Sequence, residues 1–540
     1  MVAAAAEGGF DVGVRKPMPS SIDPQALVGQ LSAAKADAVE TYHCRLVTPM
    51  YGGGVVTGTV DMAMPIRATG IRGQLRFWWR LLNAQLADGA PISSEALFKR
   101  ERSIWGGLGD ADSLAASKVV VRVRGLGASK QVPAATYKKK ADGTYKTQPD
   151  FGQLPGYVLF PAQGKASRQA VSESPKLLLD AGASWQLELG FSDHLDAGQR
   201  AEVLVALRWW ASFGGVGGRT RRGCGAVEVR DQSGRLLRVS PEEASAAGMQ
   251  LHLRHPEADA VRAWSEAVGR LRDFRQGKKV GRRQGNERPG RSYWPEPDAI
   301  RRAVGTHSKD HAPDHPAGHA FPRAAFGMPI IFHFKDEREK DPGDTTLKPE
   351  KAERMASPLI IRPYPSPDGR WFPAVLRIDR GLLPNIKLSL EGAQPNLPLA
   401  ISPTDWQSGS WVGKVPPMQG RGADALLAFL AFFGEGTTAA AIDAALAAAP
   451  KVAPPPKPVS VEQRFTAQIM RDRRNGAVSA KHVQTGKPFV AIGEDAAARW
   501  REVPPAKQKD IEAGRRVLLT AVVRDGRLIR LEDKSSGGKP

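Results

Sequence analysis

Between residues 42 and 230 the apolar residues switch twice from a two-residue period to a helical one, and that alternation limits the fold more than any other feature. Tyr42 to Thr48 reads as a strand, closed by Pro49 and the Gly52-Gly53-Gly54 run. From Ile71 to Leu86 the period is helical, with Leu75, Trp78 or Trp79, and Leu82 on one stripe. Lys118 to Arg124 alternates again. The stretch 125–176 is polar and loop-rich, with a Lys-dense piece around an Asp142-Gly143 turn. Trp185, Leu187, Leu189 and Phe191 then stand at strict period two. Asp196 is placed to cap a second helix, with Gln199 three residues on as in a capping box. That helix carries Val203, Leu204, Leu207, Trp210 and Phe213 on one side and ends at Gly214-Gly215; residues 226–230 supply another strand. Strand, helix, strand, insertion, strand, helix, strand is the split βαβ order of a ferredoxin-like or RRM-like domain, an α+β fold.

Downstream, an amphipathic helix over 258–274 precedes a basic loop, QGKKVGRRQGNERPGR. Three further strands (MPIIFHF, PLIIRPY and WFPAVLRI) and Ala-rich helices around 423–433 and 438–448 follow. Four prolines in KVAPPPKPVS predict a stiff linker. Beyond it, three strands, a helix and a hairpin around Asp525-Gly526 match an OB-like order. The expected organisation is an N-terminal tail (1–40), a first domain (41–240), a helical and basic-loop insertion (241–325), a second domain (326–450), a linker (451–460) and a small, mostly β extension (461–540).

Charge points to the partner. Lys plus Arg number 77 against 56 Asp plus Glu, a net +21, which favours a polyanion and nucleic acid first. Cys44 and Cys224 are the only cysteines, too few for a disulfide framework or a cysteine-based zinc site, so a reducing compartment is expected. The N-terminus lacks a signal-peptide pattern and the most apolar run, 425–434, is too short to span a bilayer. A soluble, cytoplasmic chain without a membrane partner is the expectation.

Two segments carry the candidate chemistry. In FGGVGGRTRRGCGAV (213–227), Gly215, Gly217, Gly223 and Gly225 frame Arg219, Thr220, Arg221 and Arg222. Glycines there permit close backbone approach, and three guanidiniums beside exposed amides suit a phosphate backbone. The loop leaves a helix C-terminus, so it is no Walker or Rossmann cradle. In PIRATGIRGQLRFWWRLL (65–82), Arg72, Arg76 and Arg80 fall on one helix face, with Arg67 upstream. Like charges at that spacing repel by a few tenths of a kcal/mol, roughly, so a counter-anion is expected. Glycine-turn packing, and a solvated basic face with carboxylate partners elsewhere in the chain, are the plainer alternatives.

Gly-x-Gly-x5-Gly-x-Gly after the second helix of such a domain resembles the RAMP superfamily of CRISPR RNA-binding proteins. IRGQLRFWWR, Ile104-Trp105-Gly106-Gly107, FPRAAFGMPIIF (321–332) and ASPLIIRP (356–363) narrow the resemblance to the first-numbered RAMP subunit of the type III-B (Cmr) effector. The resemblance covers roughly residues 41–450. It implies two fused ferredoxin-like domains, guide RNA, target RNA and other RAMP subunits as partners, a place at the guide's 3′ end, no cofactor and no catalysis. Residues 461–540 lie outside it.

Two rival readings stand beside that one. His43, on the first strand, is the candidate base for a metal-independent endoribonuclease, and a pure assembly subunit is the other alternative. His307, His311, His315 and His319 repeat every four residues, but Pro313, Pro316 and Gly318 forbid a continuous helix, so a polar loop rather than a metal site is expected. Lys138, Lys139, Lys140, Lys278, Lys279, Arg282, Arg283 and Arg323 are candidates for extending a phosphate track.

Overall fold

The computed structural model describes residues 39–85, 90–108, 114–127, 129–284, 290–334, 340–378, 385–392, 399–448, 462–472, 474–483, 488–524 and 527–533. Most of the expected tail, the whole proline linker and the Asp525-Gly526 turn lie outside these residues.

The first unit runs β1 (Val39–Leu46), α1 (Ala68–Leu82), α2 (Ser94–Trp105), β2 (Val119–Arg124), β3 (Ser184–Phe191), α3 (Ala197–Phe213) and β4 (Val227–Arg230). Its antiparallel sheet has the order β4-β1-β3-β2, with Cys44 facing Trp185 on one side and Val229 on the other. In this order the two outer connections each cross the sheet with a helix, so α1 and α3 pack together over one face. Alternation decides which side chains they cover: Tyr42, Cys44, Leu46, Trp185, Leu187 and Leu189 join Leu75, Trp78 and Trp210 in one core. Both Trp78 and Trp79 are buried, and Trp78 rests against Trp209 at 5.6 Å between ring centres. A buried indole of this kind contributes about 4–6 kcal/mol by area. Asp196 caps α3 through the Gln199 amide at 2.8 Å. The reciprocal half of the capping box is not made, because the Gln199 side chain reaches Ser103 instead.

A second unit follows, made of β5 (Gln250–Leu253), α4 (Ala260–Gln276), α5 (Glu296–Val304), β6 (Ile330–Phe332), β7 (Thr345–Pro349), β8 (Leu359–Pro365), β9 (Trp371–Arg377), β10 (Leu388–Gly392), β11 (Leu399–Ile401), α6 (Ala425–Gly434) and α7 (Ala439–Leu446). Strands β5, β9 and β8 form one antiparallel sheet in that order; β6, β7, β10 and β11 form another. Two sequence expectations change here. The segment expected as an insertion, 241–325, supplies the first strand and helix of the β5-β9-β8 sheet, so this unit starts near residue 250 rather than 326. MPIIFHF, in contrast, pairs outside that sheet. QLHL is too short a run to announce a strand by period, and its partner β9 lies over a hundred residues away.

Helix α4 covers one face of β8 and β9 through Trp264, Ala267, Val268 and Leu271 against Leu359, Ile361 and Val375. The other face, with Ile360, Tyr364, Phe372, Ala374 and Leu376, closes on the first unit's core. There Phe213 stacks on Tyr364 at 5.9 Å. The extension contains β12 (Glu462–Arg471), β13 (Val478–His482), β14 (Pro488–Ala491), α8 (Gly493–Glu502), α9 (Pro505–Glu512), β15 (Val517–Arg524) and β16 (Arg527–Glu532). Its sheet order is β14-β13-β12-β15-β16, the outer strands β14 and β16 touch each other, and its core is its own. Among the described residues no single helix is long and apolar enough to cross a membrane.

Candidate nucleic-acid interface

The glycine loop is pinned at its neck. Val216 donates to the Gly225 carbonyl at 2.9 Å and Gly225 donates to Pro49 at 2.9 Å. Gly225 has φ +66, and a Cβ on it would lie 2.0 Å from the Val216 oxygen, so no other residue fits. Thr48, fully buried, accepts from the Ala226 amide at 2.9 Å and donates to the Gly223 carbonyl at 2.6 Å. Tyr51 holds the outer edge by accepting from Gly218 at 2.7 Å.

The second unit clasps the loop from behind. Arg362, 1% exposed, donates to the carbonyls of Gly214 (2.6 Å) and Val227 (2.9 Å), one at each end of the loop, and to Pro363. Among the described residues no carboxylate accompanies it, and burial pushes its guanidinium down to about 9, still charged at neutral pH. Trp264 donates to the Arg222 carbonyl at 2.6 Å, and Gly223, at φ +83, leaves no room for a Cβ beside that indole.

This clasp revises the expected site. Arg221 donates to the Ser357 carbonyl and lies over Phe77. Arg222 donates to Leu359 (3.0 Å) and Phe326 (3.2 Å), and burial lowers its guanidinium to about 10. Two of the three guanidiniums therefore fasten the loop to the second unit. Thr220 precedes them and opens a half-buried 3-10 turn, Thr220–Arg222. Arg219 alone faces solvent. It adopts φ 58 and stands 5.3 Å over the ring of Phe160, which is 58% exposed. An exposed ring with a guanidinium on its face offers stacking and a phosphate contact together.

The helix stripe supplies its own counter-anion. Glu101 of α2, 3% exposed, pairs with Arg76 at 2.7 Å and Arg80 at 3.0 Å. Arg72 donates to the Trp105 carbonyl, and Arg67 pairs with Asp61 at 2.8 Å. The expected anion is thus a carboxylate of this chain, and the stripe braces α1 against α2.

The other candidates separate. Lys138 pairs with Asp150, Lys139 lies over Tyr145, and Lys140 is exposed. Arg283 is engaged by Asp314 through both nitrogens at 3.1 Å. Arg323 is not on an exposed track: it is buried against Glu296 at 3.0 Å, and with Arg282 it lines a cavity. His43 projects from the open face of the first sheet, opposite Gln186 and Arg230, and burial lowers its imidazole pKa. Its side chain makes no hydrogen bond among the described residues. The four histidines of the loop serve different contacts, His311 with Asp341 at 3.1 Å and buried His315 with the Tyr293 carbonyl at 3.0 Å. Among the described residues no three His, Cys, Asp or Glu come together as a metal site. Both cysteines are buried and unpaired.

Sequence reasoning missed Thr48, Phe160, Trp264 and Arg362. Arg362 lies in ASPLIIRP and Phe326 in FPRAAFGMPIIF, so these motifs, together with Phe77 of IRGQLRFWWR, are where the loop is held.

An antiparallel βαββαβ unit whose second helix runs into a clasped glycine loop defines the class. Residues 43–228, the span of that unit, match the model of the RAMP superfamily. No curated protein matches. Among solved structures, apo Cmr1 from Pyrococcus furiosus aligns over 63% of this chain and 87% of its own, at 14% identity and TM-score 0.32. A chain of the type III-B Cmr-beta complex bound to cognate target RNA aligns over 63% and 94%, at 10% identity and TM-score 0.36. One from a type IV-B CRISPR complex covers 36% and 89%, at 14% identity and TM-score 0.22. At such scores the likeness carries no argument about function.

Proposed function

We propose that this chain is a non-catalytic RNA-binding subunit of a type III-B CRISPR effector, holding the 3′-end region of the guide RNA and helping to capture target RNA. The observation that carries RNA binding is Arg219 over the exposed Phe160 on a loop whose shape the rest of the molecule fixes. The type III-B assignment rests on the motifs that build the clasp, together with the match to the RAMP-superfamily model and the net charge of +21.

The open face of the first sheet presents His43, Arg45, Arg122, Gln186 and Glu188 and, among the described residues, no aromatic ring, so base stacking as on an RRM sheet is not proposed there. Binding is therefore centred on the loop and reads phosphate and stacking rather than sequence. Among the described residues the His43 side chain makes no hydrogen bond, and no catalytic role is proposed for it.

Titration of the purified chain with labelled single-stranded RNA at two salt concentrations, each sample also run on a denaturing gel with EDTA, tests this reading. Salt-sensitive binding with intact RNA is expected. Arg219→Ala should weaken it for all sequences alike and reduce the salt slope by about one. Discrete products that vanish in His43→Ala would replace the proposal with an endoribonuclease. Tight binding only after reconstitution with partner subunits would favour an assembly role.

A further inference from the structure

Away from the glycine loop, a cavity of about 570 Å³ opens beside the end of α4, walled by buried Trp294, the turn carrying Arg323, and the end of β6 with Phe332 and Phe334. That volume lies within the range of small-molecule sites.

Among the described residues its lining carries Arg275, Arg282, Arg291, Arg301 and Arg323 against Asp298, Asp310 and Asp341, so positive charge is in excess. Arg222, Arg275 and Arg323 crowd one another closely enough that Arg275 repels both of the others. One carboxylate, Glu296, is paired among them, and it is already engaged by the Arg323 backbone amide at 2.7 Å and side chain at 3.0 Å. Arg222 spends its protons on carbonyls. Arg275 donates one nitrogen to the Tyr157 hydroxyl at 2.9 Å, while its buried Nε has no hydrogen-bond partner. Arg282 also lines the cavity and makes no ion pair among the described residues. The remaining lining arginines are neutralised, Arg291 by Asp298 and Arg301 by Asp298 and Asp341.

Guanidiniums held together without matching carboxylates suit an anion with several acceptor oxygens, and phosphate is the best match to their fork geometry. Phe332 and Phe334 also line the cavity, with Arg323 5.4 Å over one ring and Arg301 5.0 Å over the other, and the volume beyond the guanidiniums is enough for a nucleoside. We propose that this cavity is a binding site for a nucleoside phosphate, whose phosphate is held by Arg275, Arg282 and Arg323. The cavity lining contains no residue of the glycine loop.

The test is calorimetric titration of the full chain with AMP and with inorganic pyrophosphate, in wild type, Arg275→Gln and Arg282→Gln. Saturable binding that each substitution weakens about tenfold or more, with the thermal midpoint of Arg282→Gln unchanged, is the expected result. No saturable binding of either probe, or equal affinity in wild type and Arg282→Gln, overturns the proposal. RNA carrying or lacking a terminal phosphate distinguishes the source. A preference for the phosphorylated end that Arg282→Gln abolishes and Arg219→Ala leaves assigns the site to an RNA terminus. AMP binding without that preference assigns it to a free nucleotide.

Discussion

The two central sheets obey different rules. The first has helices on one face only, and its other face is a mesh of polar pairs such as Arg124–Glu188 at 2.7 Å and Arg45–Glu228 at 3.5 Å. The second is covered on both sides, by α4 and by the first unit, so every residue of β8 is buried, Arg362 included. An open face tolerates charge because water screens it. A closed seam tolerates a guanidinium only where carbonyls satisfy it. The difference teaches where the glycine loop gets its shape: its neck is pinned by the 48–51 segment of its own unit, and its arginines are fastened by the closed seam of the neighbouring one.

The comparison breaks most decisively at Arg362. Arg362→Met should destabilise by about 3–5 kcal/mol, since the carbonyls of Gly214, Val227 and Pro363 lose a buried donor. Arg362→Lys should rescue little, because one ammonium cannot span both ends of the loop. Thermal denaturation reads both; a midpoint near wild type in either variant would show that the seam does not hold the loop.

Glu101→Gln probes the open-sheet unit. It leaves Arg76 and Arg80 facing a neutral amide and should cost about 1–3 kcal/mol. A larger loss than Arg362→Met in the same denaturation series would invert the ranking. Trp264→Phe removes only the 2.6 Å donation to Arg222 and should cost about 1–2 kcal/mol.

Acid sharpens the contrast further. Burial holds the imidazoles of His43, His252 and His315 below their ordinary value of 6.5. The unfolded chain then takes up protons that the folded chain refuses. Stability present above about pH 6.5 is therefore lost as the pH falls through that value. A drop of about 2–4 °C in melting midpoint between pH 7.5 and 5.5 is expected. His252→Gln, on the enclosed sheet, should reduce the drop more than His43→Gln on the open one; the reverse order would mean that His252 is the better solvated of the two.

Arg219→Ala is the smallest in stability, within about 0.5 kcal/mol, and the largest in RNA affinity among these variants that keep the fold. The triple replacement of Arg219, Arg221 and Arg222 would confuse the two effects, because Arg221 and Arg222 fasten the loop to Ser357, Leu359 and Phe326.

Legibility followed solvent exposure. Strand β3 was readable because Trp185, Leu187, Leu189 and Phe191 alternate with residues that meet water. LIIRPYP could be read as a strand, but with both faces covered it has no alternation to say which side faces what. Nothing in LIIRPYP marks Arg362 as a buried arginine. The stripe of Arg72, Arg76 and Arg80 correctly demanded an anion, yet only a folded chain could bring Glu101 to it from a separate helix.

By itself, then, the sequence determined the first unit's element order, the positions of its helices, the glycine loop and the net positive charge, because period, capping and composition are local properties. Only the tertiary structure decided which arginines are free. A guanidinium's role depends on the carbonyl or carboxylate within about 3 Å of it, and those partners come from other segments, as near as Glu101 is to Arg80 and as far as Gly214 is from Arg362.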